Sequence, residues 1–431
     1  MKKLGFILIL LIGMCAMKGN SQNADQRIRG YIDGQDWFAL DAAYPVLKDS
    51  LSNPMLKWYS RAMLGVCFNR PDEAMVAIDT LLFYYQPEIG FSDIVGIVYL
   101  KSLLFEQRGD YSESAGLLED FLSKVSFLTP KEDLEGIRRY YGYMKSLRKE
   151  RAPVLKRPKR EVTVPVTIEK AGKGDHLYVP VKVHGKTYPF IFDTGAEKTI
   201  LSQRYADLLG VRVVYDSLRI AGGGGEFRGK LGIIDCLEIG GIRYKNMVVA
   251  ITPPSSEPDS LRGVDAVLGC DFMKAVGEIR ILPKEGKIVF PYLPSSGTGG
   301  RRNMMYNFVL PYVEAYSGEE RLIFQFDMGN VVSDLNFPYY EKHKDWVEHY
   351  GIPETVQAGG LGGIYPIGVY RLRNFPLRVG NVDFEMKNLN VNAEALLPIH
   401  RTEDGSLGMS FVQLFNKVIL NFKDMLFKVE K

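Results

Sequence analysis

Phe190-Ile191-Phe192-Asp193-Thr194-Gly195-Ala196 is the stretch on which the fold turns. Three large apolar residues, rich in strand formers, read as a buried strand. It delivers an aspartate into a sharp turn, where Gly195 lets the backbone approach a neighbour that a Cβ would hold off. The pattern returns further on, where Phe324-Gln325-Phe326 runs into Asp327-Met328-Gly329-Asn330.

Working outward, the surroundings repeat as well. The glycine cluster Gly222-Gly223-Gly224-Gly225 is answered by Gly359-Gly360-Leu361-Gly362-Gly363, and Leu237-Glu238-Ile239-Gly240 by Leu377-Arg378-Val379-Gly380. Leu268-Gly269-Cys270-Asp271-Phe272 is answered by Leu407-Gly408-Met409-Ser410-Phe411. The hairpin from Glu278-Ile279-Arg280-Ile281 to Val289 is answered by the one from Val418-Ile419-Leu420-Asn421 to Val429. Asp193 and Asp327 stand 134 residues apart, Gly269 and Gly408 stand 139 apart, and so small a drift is what loop insertions produce. Five features in one order indicate an internal duplication.

Asp-Thr-Gly-Ala after an apolar strand, then a glycine-rich turn, then Leu268-Gly269-x-Asp271 resembles one lobe of the retropepsin-like aspartic peptidases. Two such lobes in one chain are similar to the pepsin arrangement. The resemblance covers about Tyr178 to Val429. It implies Asp193 and Asp327 as a catalytic pair sharing one proton, because like charges about 3 Å apart cannot both ionise. One carboxylate takes a proton from water while the other donates to the peptide carbonyl, and a coupled pair does not reveal which is the base. Thr194, by the same resemblance, hydrogen-bonds across the lobe interface and stiffens the site, together with Gly195, Ala196, Gly329, Gly269 and Asp271. The glycines 222–225, with Gly360 and Gly362, imply flaps that close over an extended peptide.

The second lobe departs from the pattern. Met328 stands where a hydroxyl residue is expected, so the reciprocal grip cannot be returned, and Ser410 replaces the carboxylate that Asp271 supplies. Asp327 is then either retained for catalysis on a looser scaffold or left over in a lobe that only supports or binds. Two alternatives to a single-chain peptidase follow: a homodimeric peptidase using Asp193 from two chains, and a non-catalytic peptide-binding or scaffold protein on the same fold.

The remaining sequence divides by periodicity. Residues 22–150 are spaced for helices, broken at Asn53-Pro54, Arg70-Pro71-Asp72 and Arg108-Gly109-Asp110. Gly109-Asp110-Tyr111 with Ala115 and Leu118 resembles a tetratricopeptide repeat, which implies a protein-contact module and a protein partner there. Residues 151–161 are basic and proline-punctuated and read as a linker. Period two then takes over in lobes at 162–293 and 303–431, joined by the Pro/Ser/Gly-rich stretch 294–302. The fold class expected is an all-α helical-repeat-like domain followed by a mainly β, two-lobed acid-protease domain.

Lys2 and Lys3 precede the apolar run Leu4 to Met17, the pattern of a signal peptide ending at Ser21, with no membrane span left after its removal. This implies export to the periplasm or outside the cell. Lipoprotein processing at Cys15 is disfavoured by the bulky Met14. With 54 Lys+Arg against 51 Asp+Glu, the charge balance gives no basic field for nucleic acid. Cys67, Cys236 and Cys270 are too few and too scattered for a disulfide framework or a metal site, so no cofactor is expected. The run Gly224 to Lys230 approaches a phosphate-binding loop, but Leu231 stands where Ser or Thr must hold magnesium. His343 and His349 fall on a predicted helix with acidic neighbours, at a spacing that fits no metal motif.

Overall fold

The computed structural model describes residues 21–127, 129–130, 132–171, 174–222, 225–253, 264–295, 301–360, 363–395 and 403–431. The signal-peptide reading of residues 1–20, Cys15 included, lies outside the described residues. The chain forms two compact units that divide after Ala152.

The first unit is helical. Its helices are Ser21–Asp33, Trp37–Leu47, Pro54–Cys67, Pro71–Tyr84, Phe91–Arg108, Tyr111–Val125 and Glu135–Leu147. The breaks sit where the sequence punctuates. Asn53 accepts hydrogen bonds from the Met55 amide (2.8 Å) and the Leu56 amide (3.4 Å), and Pro54 occupies the first turn, where its missing N–H costs nothing. Gly109, at φ 79°, ends the Phe91–Arg108 helix in the left-handed conformation that glycine adopts freely. Gly65 lets its helix pass close to Ala74, where an added Cβ would come within 2.7 Å of the Ala74 nitrogen.

The second unit is mainly β and two-lobed. In the first lobe the strand Lys186–Phe192 lies between Gly174–Val183, antiparallel, and Ala266–Leu268, parallel. In the second, Glu320–Phe326 lies between Leu310–Ser317, antiparallel, and Gly405–Leu407, parallel. Glu320–Phe326 alternates as a half-buried strand does, whereas Lys186–Phe192 ends in three consecutive buried residues; Phe190, Phe192, Phe324 and Phe326 are fully buried.

A third sheet joins the lobes. It runs Val162–Pro165, Lys287–Phe290, Glu278–Leu282, Lys417–Asn421, Leu426–Glu430, and its middle pairing sets Glu278 opposite Asn421 and Ile281 opposite Val418. The hairpin that ends each half therefore completes one sheet with its duplicate.

Two details differ from the sequence reading. The stretch expected to be a linker contains the strand Val154–Lys156, paired with Arg243–Lys245, and Arg157 donates to the carbonyls of Val276 (3.3 Å) and Phe290 (2.9 Å). The strand lies at a sheet edge, where the flanking prolines remove no ladder bond. The helix expected around His343 and His349 is two helices, Phe337–Lys342 and Lys344–Tyr350, with His343 between them hydrogen-bonded to Glu320 at 2.9 Å. Cys67 and Cys270 are buried free thiols, whereas Cys236 is half-buried. Of the joining stretch 294–302, residues 296–300 lie outside the described residues.

Candidate active site

Each aspartate is set by the ladder beneath it. The Asp193 amide donates to the Leu268 carbonyl at 3.1 Å, and the Asp327 amide donates to the Leu407 carbonyl at 3.0 Å. Just beyond, the Cys270 amide donates to the Ala196 carbonyl (2.8 Å) and the Met409 amide to the Asn330 carbonyl (2.9 Å). Gly269 and Gly408 make these crossings close. A Cβ on Gly269 would lie 2.6 Å from the Lys198 carbonyl oxygen, and one on Gly408 would overlap the carbonyls of Asn330 and Val332. Both loops are thus bent over their own Leu-Gly step in the same way.

The two loops meet. The Gly329 amide donates to Oδ1 of Asp193 and to Oδ1 of Asp327, at 2.9 Å in each case. The Gly195 amide donates to Asp193 Oδ1 at 2.7 Å, and the Asn330 amide to Asp327 Oδ1 at 3.2 Å. A Cβ on Gly195 would overlap the Asp327 carboxylate, and one on Gly329 would lie 2.6 Å from Asp193 Oδ1. The two glycines are required here by close approach, not by a left-handed backbone.

The carboxyls hydrogen-bond to one another and are half-buried, and loss of hydration is the main force on both. For Asp193, burial and then the Asp327 charge push the carboxyl well above the ordinary range, against the pull of the Gly195 and Gly329 amides. Asp327 is also raised by burial, opposed by its hydrogen bond with Asp193 and by the amides of Asn330 and Gly329. Such a pair holds one proton between its members and titrates as a unit.

Thr194 reaches across the lobes. Its hydroxyl donates to the Phe326 carbonyl at 2.7 Å and accepts from the Met328 amide at 2.9 Å, all of it buried. Met328 is fully buried and has no hydroxyl to return the contact, so the grip is one-sided. The supports beneath the loops differ too. Asp271 accepts from the Thr199 amide (2.9 Å) and hydroxyl (3.0 Å), and the Gly269 amide donates to that hydroxyl at 3.2 Å. In the second lobe Ser410 meets Ser333, hydroxyl to hydroxyl, at 3.0 Å, and the Gly408 amide donates to Ser333 at 2.9 Å. The neutral pair Ser333 and Ser410 thus stands in for Thr199 and Asp271. Burial pushes the Asp271 carboxyl up to about 6, against the Thr199 and Phe272 amides and the nearby Lys198.

Residues 179–272 match the aspartyl protease family. The resemblance to the aspartic peptidases read from the sequence holds for this lobe, which contains Asp193 and its Leu-Gly step. Similar solved structures are an aspartic proteinase from Irpex lacteus (14% identity, TM-score 0.43, covering 63% of this chain and 97% of that one) and a retropepsin-like aspartic protease from Rickettsia conorii (18%, 0.22, 33% and 94%). Basic 7S globulin from soybean is similar as well, at 10% identity and a TM-score of 0.38, covering 63% of this chain and 95% of that one. No curated protein matches the chain.

The glycine-rich stretches fall between the paired strands of two long hairpins. Arg212–Gly222 pairs with Gly225–Ile239, ending at Gly222 opposite Gly225, and Ile352–Gly360 pairs with Gly363–Val379, ending at Gly360 opposite Gly363. The tips expected to be flap residues, Gly223 and Gly224 in the first and Gly362 in the second, lie outside the described residues. The stretch resembling a phosphate loop continues as strand through Ile239. Among the described residues no His, Cys, Asp and Glu cluster could hold a metal, and no helix is long and apolar enough to cross a membrane.

Sequence reading missed Thr199, Ser333 and Asn330. The first two were available from the duplication, since the 134-residue offset that relates Asp193 to Asp327 also relates Thr199 to Ser333.

Proposed function

We propose that the protein is an exported aspartic endopeptidase that hydrolyses peptide bonds with a water activated between Asp193 and Asp327. One observation carries the reading: a single amide, that of Gly329, donates to both carboxylates, and the two half-buried acids hydrogen-bond to one another. The ionised member takes a proton from water as its oxygen bonds to the peptide carbon. The protonated member donates to the carbonyl oxygen, and collapse of the tetrahedral adduct breaks the C–N bond as the nitrogen gains a proton. Thr194 holds the loops in register, and the two hairpins close over an extended peptide. Protein side chains suffice for these steps, and no cofactor is assigned.

The same geometry favours one chain over a homodimer using Asp193 twice, because Asp327 already fills the space beside Asp193. The leader-like residues 1–21 support export, to the periplasm or beyond the cell. The successive short helices before residue 150 suit a module that binds a protein partner. The test is a mixed-sequence peptide library incubated with the purified chain and read by mass spectrometry. New termini that appear with the wild type and vanish with Asp193→Asn support the reading. Binding without cleavage turns it to the scaffold alternative.

A further inference from the structure

The duplication allows the two sides of the aspartate pair to be compared position by position. This comparison rests on the peptidase reading above. Residues two apart on a strand face the same side, so Ile191 looks toward the side of Asp193, and Gln325 toward that of Asp327.

In the first lobe Ile191 belongs to an apolar patch with Ala196 and Val267, and Ile200 packs against it. Val267 lies opposite both Ile191 and Ile200 in the ladder. In the second lobe the same register sets Ser406 opposite both Gln325 and Asp334. Asn330 follows Asp327 as Ala196 follows Asp193. Four apolar positions beside one aspartate are therefore Gln, Asn, Asp and Ser beside the other.

This polarity is only partly consumed internally: the Asn330 side chain accepts from the Val332 amide at 3.3 Å and donates to Asp334, which leaves Ser406 and Asp334. Ser406 is 8% exposed as a residue, and its buried hydroxyl has no hydrogen-bond partner among the described residues. Ladder neighbours share a face, so that hydroxyl lies on the side of Gln325 and Asp334. The Asp334 carboxylate accepts from the Asn330 side chain at a long 3.4 Å and from the Ser406 backbone amide, and no lysine or arginine pairs with it among the described residues. Burial, reinforced by the Asp327 charge, pushes it up to about 7. A patch made only to support the lobe would be expected to satisfy its buried donors and acceptors, and the Ser406 hydroxyl is left without a partner.

An extended peptide crossing the pair lays the side chain before the scissile bond on one lobe and the side chain after it on the other. We propose that the two lobes read different side chains: the first lobe takes an apolar one, and the second, through Asp334, Ser406 and Gln325, takes a lysine or arginine. The enzyme then cuts bonds flanked by one apolar and one cationic residue.

The experiment uses the full-length protein and peptides in which the residues on either side of the cut are varied in turn among Leu, Gln and Lys, with kcat/KM as the readout. The expected result is an apolar preference on one side and, on the other, Lys over Leu by about tenfold or more, the scale of one charge-assisted hydrogen bond. Asp334→Asn brings the Lys-to-Leu ratio toward one, and Asp334→Ile, the first-lobe residue, inverts it. Equal rates for Gln and Lys overturn the cationic assignment, and apolar preference on both sides overturns the proposal entirely. No cleavage of any peptide instead defeats the peptidase reading beneath it. The wild-type ratios stand as a test even if a variant fails to fold.

Discussion

Replacing Thr194 by Val removes the hydroxyl grip between the two aspartate loops while keeping the side-chain shape. Two buried groups lose their partner: the Phe326 carbonyl, reached at 2.7 Å, and the Met328 amide, at 2.9 Å. Each unpaired buried group costs about 1–3 kcal/mol, so the change destabilises the β unit by about 2–6 kcal/mol. Met328 offers no second grip to share the load, unlike a lobe with a hydroxyl there. With a urea dependence of about 3 kcal/mol per molar, the midpoint falls by roughly 0.7–2 M. Hydrogen exchange in a urea series, read on peptides of the β unit, measures it and separates this unit from the helical one. Exchange at the Met328 amide should accelerate in the absence of urea as well, and Thr194→Ser should restore most of both effects. A Val variant whose midpoint stays within about 0.2 M of wild type would refute the reasoning.

Other consequences follow from the same geometry. Gly195→Ala places a methyl group into the Asp327 carboxylate and should lower kcat by about 10²-fold or more, with the circular dichroism spectrum retained. Asp271, raised to about 6, binds its proton more tightly folded than unfolded. Its stabilising contribution is therefore full below the unfolded value near 4 and is lost as pH rises through about 6, and Asp271→Asn should flatten that part of a stability-versus-pH curve, by on the order of 2–3 kcal/mol. Gly65→Ala forces the helix pair at Ala74 apart and should cost the helical unit about 1–3 kcal/mol, measured by thermal unfolding at 222 nm.

Much of this architecture was legible because it is local or repeated. The helix breaks at Asn53-Pro54 and Gly109 follow from capping and backbone rules, and each half carries its own strand, turn and Leu-Gly step in the same order. The two terminal hairpins were legible too, but not that they pair with each other, Glu278 opposite Asn421, because no local pattern encodes a partner 143 residues away. The strand Val154–Lys156 was hidden in a basic, proline-rich stretch, since an edge position tolerates a composition that a central strand does not. At the site, Met328 and Ser410 read as losses. In the fold Ser333 answers Ser410, and the Thr194 hydroxyl holds the facing loop with none returned from Met328, an arrangement visible only once the side chains meet.

Both acids of one chain working together is the claim on which the rest depends, and Asp327→Asn addresses it most directly. Cleavage should be measured for wild type, Asp193→Asn and Asp327→Asn at a concentration where sedimentation reports the mass of the species present. The account predicts an active wild-type monomer and near-complete loss in both variants alike. An Asp327→Asn protein that keeps wild-type turnover, or activity confined to a dimer, would contradict it.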